Sequence, residues 1–190
     1  MSAPTLHLAS SSPRRKEILS ALGLTFSSGG VDADERRLAG ERPDAMVLRL
    51  ARAKTTASED RRASLILGAD TAVVLGEQVF GKPQDGVAAA EMLARLSGQT
   101  HSVLTGVALS TPDGIMTAVS ETEVRFREIR PDEARAYWQS GEPRDKAGAY
   151  AIQGLGAVFV ESISGSYSGV VGLPVFETAV LLQRAGLKVL

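Results

Sequence analysis

Short apolar runs with the character of strands alternate along this chain with longer runs at helical spacing, and no long linker or internal repeat interrupts them. That alternation confines the chain to an α/β architecture in which helices cover a mixed sheet. Strands are predicted near 5–9 and 24–28, at Leu65–Ala69 and Ala72–Leu75, and around Ala157–Ile163. A helical pattern beginning at Pro13 puts Ile18, Leu19 and Leu22 on one face and ends at Gly23. Further helices are predicted from about Pro43 to Ala57, Asp85 to Leu96, Pro131 to Gln139 and Pro174 to Ala185. Val103–Leu109 is apolar on both faces, as in a central strand. The next run alternates Glu121, Glu123, Arg125 and Arg127 with Thr122, Val124 and Phe126, and Pro112-Asp113-Gly114 signals a turn between the two. Together they read as a long antiparallel hairpin.

Composition narrows the function before any motif does. At 190 residues, 44% hydrophobic and 23% charged, residues 1–190 suit one compact domain. A formal net charge of −1 leaves no basic field to hold a nucleic-acid polymer. Absence of cysteine excludes disulfides, thiol nucleophiles and zinc–thiolate sites, and His7 and His101 are the only histidines. Any metal must therefore sit on oxygen ligands. No apolar run reaches membrane-spanning length and no signal-peptide pattern opens the chain, so a cytoplasmic protein is expected.

Ser10-Ser11-Ser12-Pro13-Arg14-Arg15 follows the apolar run Leu6-His7-Leu8-Ala9 and opens the first helix. Ser12 is placed as N-cap and Pro13 as the first helical residue. Unpaired N–H groups and the positive end of the helix dipole favour an anion at such a start. Arg14 and Arg15 add forked donors, yet cations in a first turn oppose the dipole unless something negative binds there. A well-capped helix with a solvated basic turn is the plain alternative. The balance tilts towards a phosphate, with Ser10 and Ser12 as further contacts.

Lone carboxylates accompany these cations. Asp70 follows Leu65–Leu67 and Gly68, which places it at the C-terminal end of a strand, where α/β folds bind ligands. Its bland reading is a turn aspartate. Asp34 and Glu35 lie in a polar, Gly-flanked loop. With a triphosphate bound, one or two such carboxylates would hold magnesium, because that ion keeps waters and takes phosphate oxygens as its other ligands. Lys54, near the end of the helix containing Leu48, Leu50 and Ala51, reads by itself as a surface lysine. Gly76 to Lys82 matches the spacing of a phosphate-binding P-loop, but Pro83 stands where Ser or Thr must bind magnesium, so that reading fails. Gly76-Glu77-Gln78 reads as a hairpin turn, with Lys82 still available as a point charge for phosphate. The glycine-dense segments 145–154 and 165–174 suit either close approach to a ligand or ordinary turns.

Taken together, these pieces resemble the Maf family of nucleoside triphosphate pyrophosphatases over nearly the whole chain. The resemblance is carried by Leu8-Ala9-Ser10 with Ser12-Pro13-Arg14-Arg15, Asp34-Glu35, Leu48-Arg49-Leu50-Ala51 with Lys54, Gly68-Ala69-Asp70-Thr71, and Gly81-Lys82-Pro83. Leu96 to His101, Asp145 to Tyr150 and Val171-Gly172-Leu173-Pro174 extend it. It implies a two-lobed fold with a central mixed sheet and a cleft, dependence on Mg2+ or Mn2+, and hydrolysis of a nucleoside triphosphate to monophosphate and pyrophosphate. It further implies Asp70 as catalytic acid/base. Arg15, Lys54 and Lys82 would then stabilise phosphoryl charge, and Glu35, with Asp70 sharing, would hold the ion.

Within the family, the branch acting on 7-methyl-GTP carries Trp, Gln and Glu at the positions of Arg14, Thr71 and Gln153. This chain resembles the dTTP/UTP branch instead, which marks those three as specificity residues. A glutamine amide matches the O4/N3–H edge of uracil or thymine with one donor and one acceptor. The family is also associated with septum formation, so a nucleotide-binding regulator of cell division is the alternative, and a phosphatase or kinase is a weaker one. A homodimer stays open.

Overall fold

The computed structural model describes residues 4–58, 60 and 63–190. Its elements run β1 (Leu6–Ala9), α1 (Pro13–Ala21), β2 (Phe26–Gly29), α2 (Pro43–Ala57), β3 (Leu65–Leu75), β4 (Gln78–Phe80) and α3 (Gly86–Leu96). They continue with β5 (Thr100–Thr111), β6 (Gly114–Phe126), α4 (Pro131–Gln139), β7 (Val160–Ser164), α5 (Tyr167–Val171) and α6 (Val175–Arg184). Three short 3₁₀ turns, Glu142–Asp145, Ala147–Ala149 and Leu155–Phe159, lie between α4 and β7.

Seven strands form one mixed sheet in the order β2-β1-β3-β5-β6-β7, with β4 paired to β3. β1 runs parallel to both β2 and β3, whereas β4 is antiparallel to β3 and β7 to β6. The Pro112-Asp113 connection between β5 and β6 is too short for anything but antiparallel neighbours. It is closed by Thr111, whose hydroxyl donates to the Gly114 carbonyl at 3.0 Å and accepts from the Asp113 amide at 3.2 Å.

The residues group into two compact units. One takes the described residues up to Asp70 with Thr105–Ser120 and Gly172–Leu190; the other takes Thr71–Leu104 and Glu121–Val171. Each has its own apolar core. Leu8, Leu19, Leu67, Leu109, Leu173 and Leu182 centre the first, and Phe126, Leu93, Leu96, Tyr137, Tyr150 and Phe159 the second. Among the described residues no helix is long and apolar enough to cross a membrane.

Several predicted elements differ in the structure. The two short strands at Leu65–Ala69 and Ala72–Leu75 are one eleven-residue strand, so Asp70 lies inside β3 and not at its C-terminal end. The strand around Ala157–Ile163 begins only at Val160, because Leu155–Phe159 winds into a 3₁₀ turn. The second strand sits slightly later than predicted, at Phe26–Gly29. The predicted hairpin is present, with Leu75 opposite Gln78 and Gly76 at φ +60°.

α2 seats unusually close to the sheet. It buries Met46, Val47, Leu50, Ala51, Lys54 and Thr55, a stripe at helical spacing. Where that stripe meets the strands the residues are glycines: a Cβ at Gly68 would lie 2.5 Å from the Ala51 carbonyl oxygen, and one at Gly106 would lie 2.5 Å from that of Val47. Backbone therefore rests on backbone at two points, one on β3 and one on β5. Gly106→Ala is expected to destabilise the protein by about 1–3 kcal/mol through overpacking against an atom that cannot rotate away. Denaturant unfolding measures this, and an unchanged midpoint would contradict the close seating.

Candidate active site

Gly68 and Asp70 are two residues apart on β3 and so share one face, the face that α2 covers. With α2 seated on Gly68, Lys54 in its last turn meets Asp70: Nζ donates to Oδ1 at 2.6 Å. Glu35 Oε1 approaches the same Nζ at 2.7 Å. The reading of Lys54 as a surface lysine is thereby corrected, since it is only 8% exposed. Its place on the stripe with Val47, Leu50 and Ala51 is the sequence signal that marks it as inward-facing.

The loop that supplies Glu35 is tied to α2 as well. Arg49 donates through Nε and Nη2 to both carboxylate oxygens of Glu41, at 2.6 and 2.8 Å, and through Nη2 to the Arg36 carbonyl at 3.0 Å. Such a forked contact fixes orientation as well as distance. Asp34 is turned to Arg36, which lowers its pKa to about 2 through their hydrogen bonds. Of the two adjacent acids, Glu35 is thus the one that meets Lys54. Arg49 was not singled out from sequence, although its spacing from Glu41 across the helix start is legible.

α1 begins as expected, with Ser12 at the N-cap and Pro13 in the first turn, and no acid stands in that turn. Ser12 caps with no side-chain hydrogen bond; its amide instead donates to Ser10 Oγ at 3.2 Å. Arg15 Nη1 also donates to Ser10 Oγ, at 3.3 Å, while its Nε donates to the Gly172 carbonyl at 2.8 Å. Burial lowers the Arg15 pKa, Asp70 and Glu35 oppose this, and neighbouring Arg14 adds to it. A guanidinium kept in a desolvated place beside a second cation gains when an anion arrives.

Asp70 is the electrostatic counterpart. Burial raises its pKa above the ordinary aspartate range, Lys54 and Arg15 pull it down, and Glu35 pushes it up again. The net direction is upward, which leaves a carboxylate able to take a proton more readily than an exposed one.

Ser10, Ser12, Arg14, Arg15, Glu35, Lys54 and Asp70 all belong to the first unit, and Thr71, Lys82 and Gln153 to the second. Thr71 follows Asp70 directly on β3 and points to the opposite sheet face. Lys82 is exposed just after β4, and the carbonyl before it, Gly81, accepts from the Gly148 amide at 3.1 Å. Gln153 is exposed while Ala151 and Ile152 beside it are buried. The glycines of these segments serve close packing within the protein. A Cβ at Gly148 would lie 3.0 Å from Val73, at Gly154 2.1 Å from Glu142, at Gly156 2.6 Å from the Tyr137 hydroxyl, and at Gly165 2.8 Å from Thr122. His101, buried against Phe126 and hydrogen-bonded to the Tyr150 hydroxyl at 2.9 Å, has its pKa lowered to about 4 by burial. It is a neutral core residue.

A family profile described as Maf-like protein matches residues 5–185. The chain belongs to the Maf family. It is 51% identical to a dTTP/UTP pyrophosphatase of Pseudoalteromonas translucida (strain TAC 125), over 94% of this chain and 95% of that protein. Relatives of the same name from Anaeromyxobacter dehalogenans (strain 2CP-1 / ATCC BAA-258) and Methylococcus capsulatus (strain ATCC 33009 / NCIMB 11132 / Bath) are 52% and 50% identical, over 97% and 96% of this chain and 95% and 91% of theirs. Among solved structures, the Ham1 protein of Staphylococcus aureus is 16% identical with a TM-score of 0.45, covering 67% of this chain and 72% of that one.

The carboxylate–lysine pairing yields a direct test. In Lys54→Met the cation is lost while the stem remains, so the charged form of Asp70 loses its nearest support. Its pKa is expected to rise further, by about one pH unit or more. Carboxyl-carbon NMR of the two proteins reads this out, and an unchanged or lower Asp70 pKa would contradict the pairing.

Proposed function

We propose that this Maf-family chain is a nucleoside triphosphate pyrophosphatase that hydrolyses dTTP and UTP to the monophosphate and pyrophosphate. What carries the reading is a buried carboxylate held by a lysine, Asp70 on Lys54, in a chain about half identical over most of its length to proteins named dTTP/UTP pyrophosphatase.

In this reading Ser10, Ser12 and Arg15 grip phosphate oxygens at the start of α1, whose first turn gathers Arg14, Arg15 and Lys16 without an acid. An anion there is stabilised by the helix end and by the guanidinium together. Lys82 adds a point charge. Asp70 accepts the proton of a water that attacks phosphorus; the new P–O bond forms as the phosphoanhydride bond breaks, and that bond's electron pair leaves on the pyrophosphate oxygen. Lys54 keeps Asp70 oriented and offsets charge developing on the phosphoryl group. Gln153 reads the O4/N3–H edge of the base, with Arg14 and Thr71 as further specificity residues.

The residues suit a divalent cation. Glu35 and Asp70 offer the hard oxygen donors that such an ion takes and stand together at the Lys54 ammonium, 2.7 and 2.6 Å from its Nζ, so an ion held by them would lie beside that group. No group of three or more acidic, histidine or cysteine side chains that could hold a metal occurs among the described residues. Magnesium or manganese at these two carboxylates would complete its shell with water and substrate phosphates, as hard oxygen-seeking ions do. When bound, such an ion neutralises phosphate charge and polarises the phosphoryl oxygen.

Purified protein with magnesium is expected to give dTMP from dTTP and UMP from UTP, each with one equivalent of pyrophosphate. Chelation should abolish turnover, and added Mg2+ or Mn2+ should restore it. Diphosphate plus orthophosphate as products would replace this reading with a phosphatase. Asp70→Asn is expected to lower turnover by about 10²–10⁴ with the fold retained. Near-normal turnover would remove Asp70 as base. Gln153→Glu, which sets an acceptor against the O4 acceptor, should cost about ten- to a hundredfold in kcat/KM for dTTP and UTP.

A further inference from the structure

The exposed Gln153 stands on a short backbone segment whose two flanks are held by a single pair of side chains. Tyr137 lies in the last turn of α4, and Gly141, at φ +79°, turns the chain so that Glu142 comes back towards it. The Tyr137 hydroxyl donates to Glu142 Oε1 at 2.6 Å and accepts from the Ala151 amide at 3.0 Å. Glu142 accepts two more backbone bonds, from Leu155 N–H to Oε2 at 2.8 Å and from Gly156 N–H to Oε1 at 3.0 Å. Two residues before Gln153 and two and three residues after it, the backbone is therefore tied to the same phenol–carboxylate pair. The Gly154 amide closes the turn onto the Ala151 carbonyl at 3.3 Å.

Residue types around the pair fit this task. A side chain at Gly154 or Gly156 would fall on the Glu142 carboxylate or the Tyr137 hydroxyl, so both glycines give these groups access to the backbone. Everything that meets Glu142 here is a donor, and an ionised carboxylate is the side chain that only accepts. Burial raises the Glu142 pKa, but the bonds from Tyr137, Gly156 and Leu155 together outweigh it and leave the group lower than usual. The Tyr137 ring is itself fixed edge-on to Phe159, at 5.2 Å between centroids.

We propose that Tyr137 and Glu142 are positioning residues for base recognition: they set the backbone from Ala151 to Gly156 and thereby aim the Gln153 amide at the nucleobase. The proposal rests on the reading of Gln153 as the base-contacting residue. Holding the flanks before substrate arrives removes ordering cost from binding and fixes which amide edge meets the base. The phosphate candidates Ser10, Ser12, Arg15 and Lys54 belong to the first unit, whereas this pair belongs to the second.

The test compares wild type, Glu142→Gln, Tyr137→Phe, Gln153→Ala and the double variant Glu142→Gln/Gln153→Ala. Two quantities are read for each: kinetic constants for dTTP, and the inhibition constant of inorganic tripolyphosphate, which carries phosphates without a base. Glu142→Gln turns an amide donor towards backbone donors. Its KM for dTTP is expected to rise about tenfold or more, with tripolyphosphate inhibition within about twofold of wild type. In the Gln153→Ala background the same change should add little, because the residue it positions is gone. Equal losses for dTTP and tripolyphosphate, or full additivity in the double variant, would overturn the positioning role. If Gln153→Ala leaves the dTTP constants unchanged, the base-reading assignment itself fails and takes this proposal with it. Should Glu142→Gln not unfold cooperatively, Tyr137→Phe, which loses one hydroxyl only, is read by the same criteria.

Discussion

One ammonium group shared by two carboxylates organises the candidate site of the first unit. Lys54 Nζ sits 2.6 Å from Asp70 and 2.7 Å from Glu35, and each of these three side chains comes from a different stretch of chain. Burying such charges is costly unless they meet closely, and removing one leaves the others uncompensated. The meeting is close because α2 rests on glycine backbone at Gly68 and Gly106. Gly68 also stands two residues before Asp70, so the position that admits the helix and the one that carries the carboxylate share a strand face. The same helix holds the Glu35 loop through Arg49 and Glu41. Helix seating, loop anchoring and carboxylate placement are thus consequences of one packing arrangement.

A related device recurs in the second unit with different chemistry. There Gly148, Gly154, Gly156 and Gly165 let neighbouring side chains or backbone come where a Cβ would collide. Gly148 packs against Val73 while its amide holds the Gly81 carbonyl just before Lys82, and Gly154 and Gly156 open the segment around Gln153 to Glu142 and Tyr137. In both units a candidate site residue, Asp70 or Gln153, stands near a glycine that admits a close neighbour. The arrangement answers the demand of phosphoryl chemistry, where catalysis rests on where charges stand more than on covalent participation.

Much of the fold was legible because local signals agreed with the tertiary answer. Pro131 to Gln139 reads as a helix and is one, and Gly76-Glu77 reads as a hairpin turn and is one. Asp70 was misplaced to a strand end because Gly68 looks like punctuation in a sequence. Its work is steric, and only the helix above it explains the glycine. Lys54 read as a surface residue from its type alone; its place on the α2 stripe marks it as inward-facing, and its partner Asp70 stands sixteen residues away. Of the first-unit candidates, Asp70 and Glu35 meet at Lys54 and Arg15 meets Ser10, whereas no contact role for Arg49, Gly106, Tyr137 or Glu142 was read from the sequence. Gly106 meets α2 backbone and the Tyr137–Glu142 pair holds backbone amides, and backbone partners leave no trace in residue type.

In the proposed reaction Asp70, a buried carboxylate paired with Lys54, takes the proton of the attacking water. The most direct measurement is the pH dependence of kcat/KM for dTTP in wild type and in Asp70→Asn, at saturating magnesium. Activity should rise with pH along an acid limb as Asp70 loses its proton and becomes able to act as the base. The residual activity of Asp70→Asn should lack that limb. An acid limb unchanged in Asp70→Asn would show that another group takes the proton and would contradict the account.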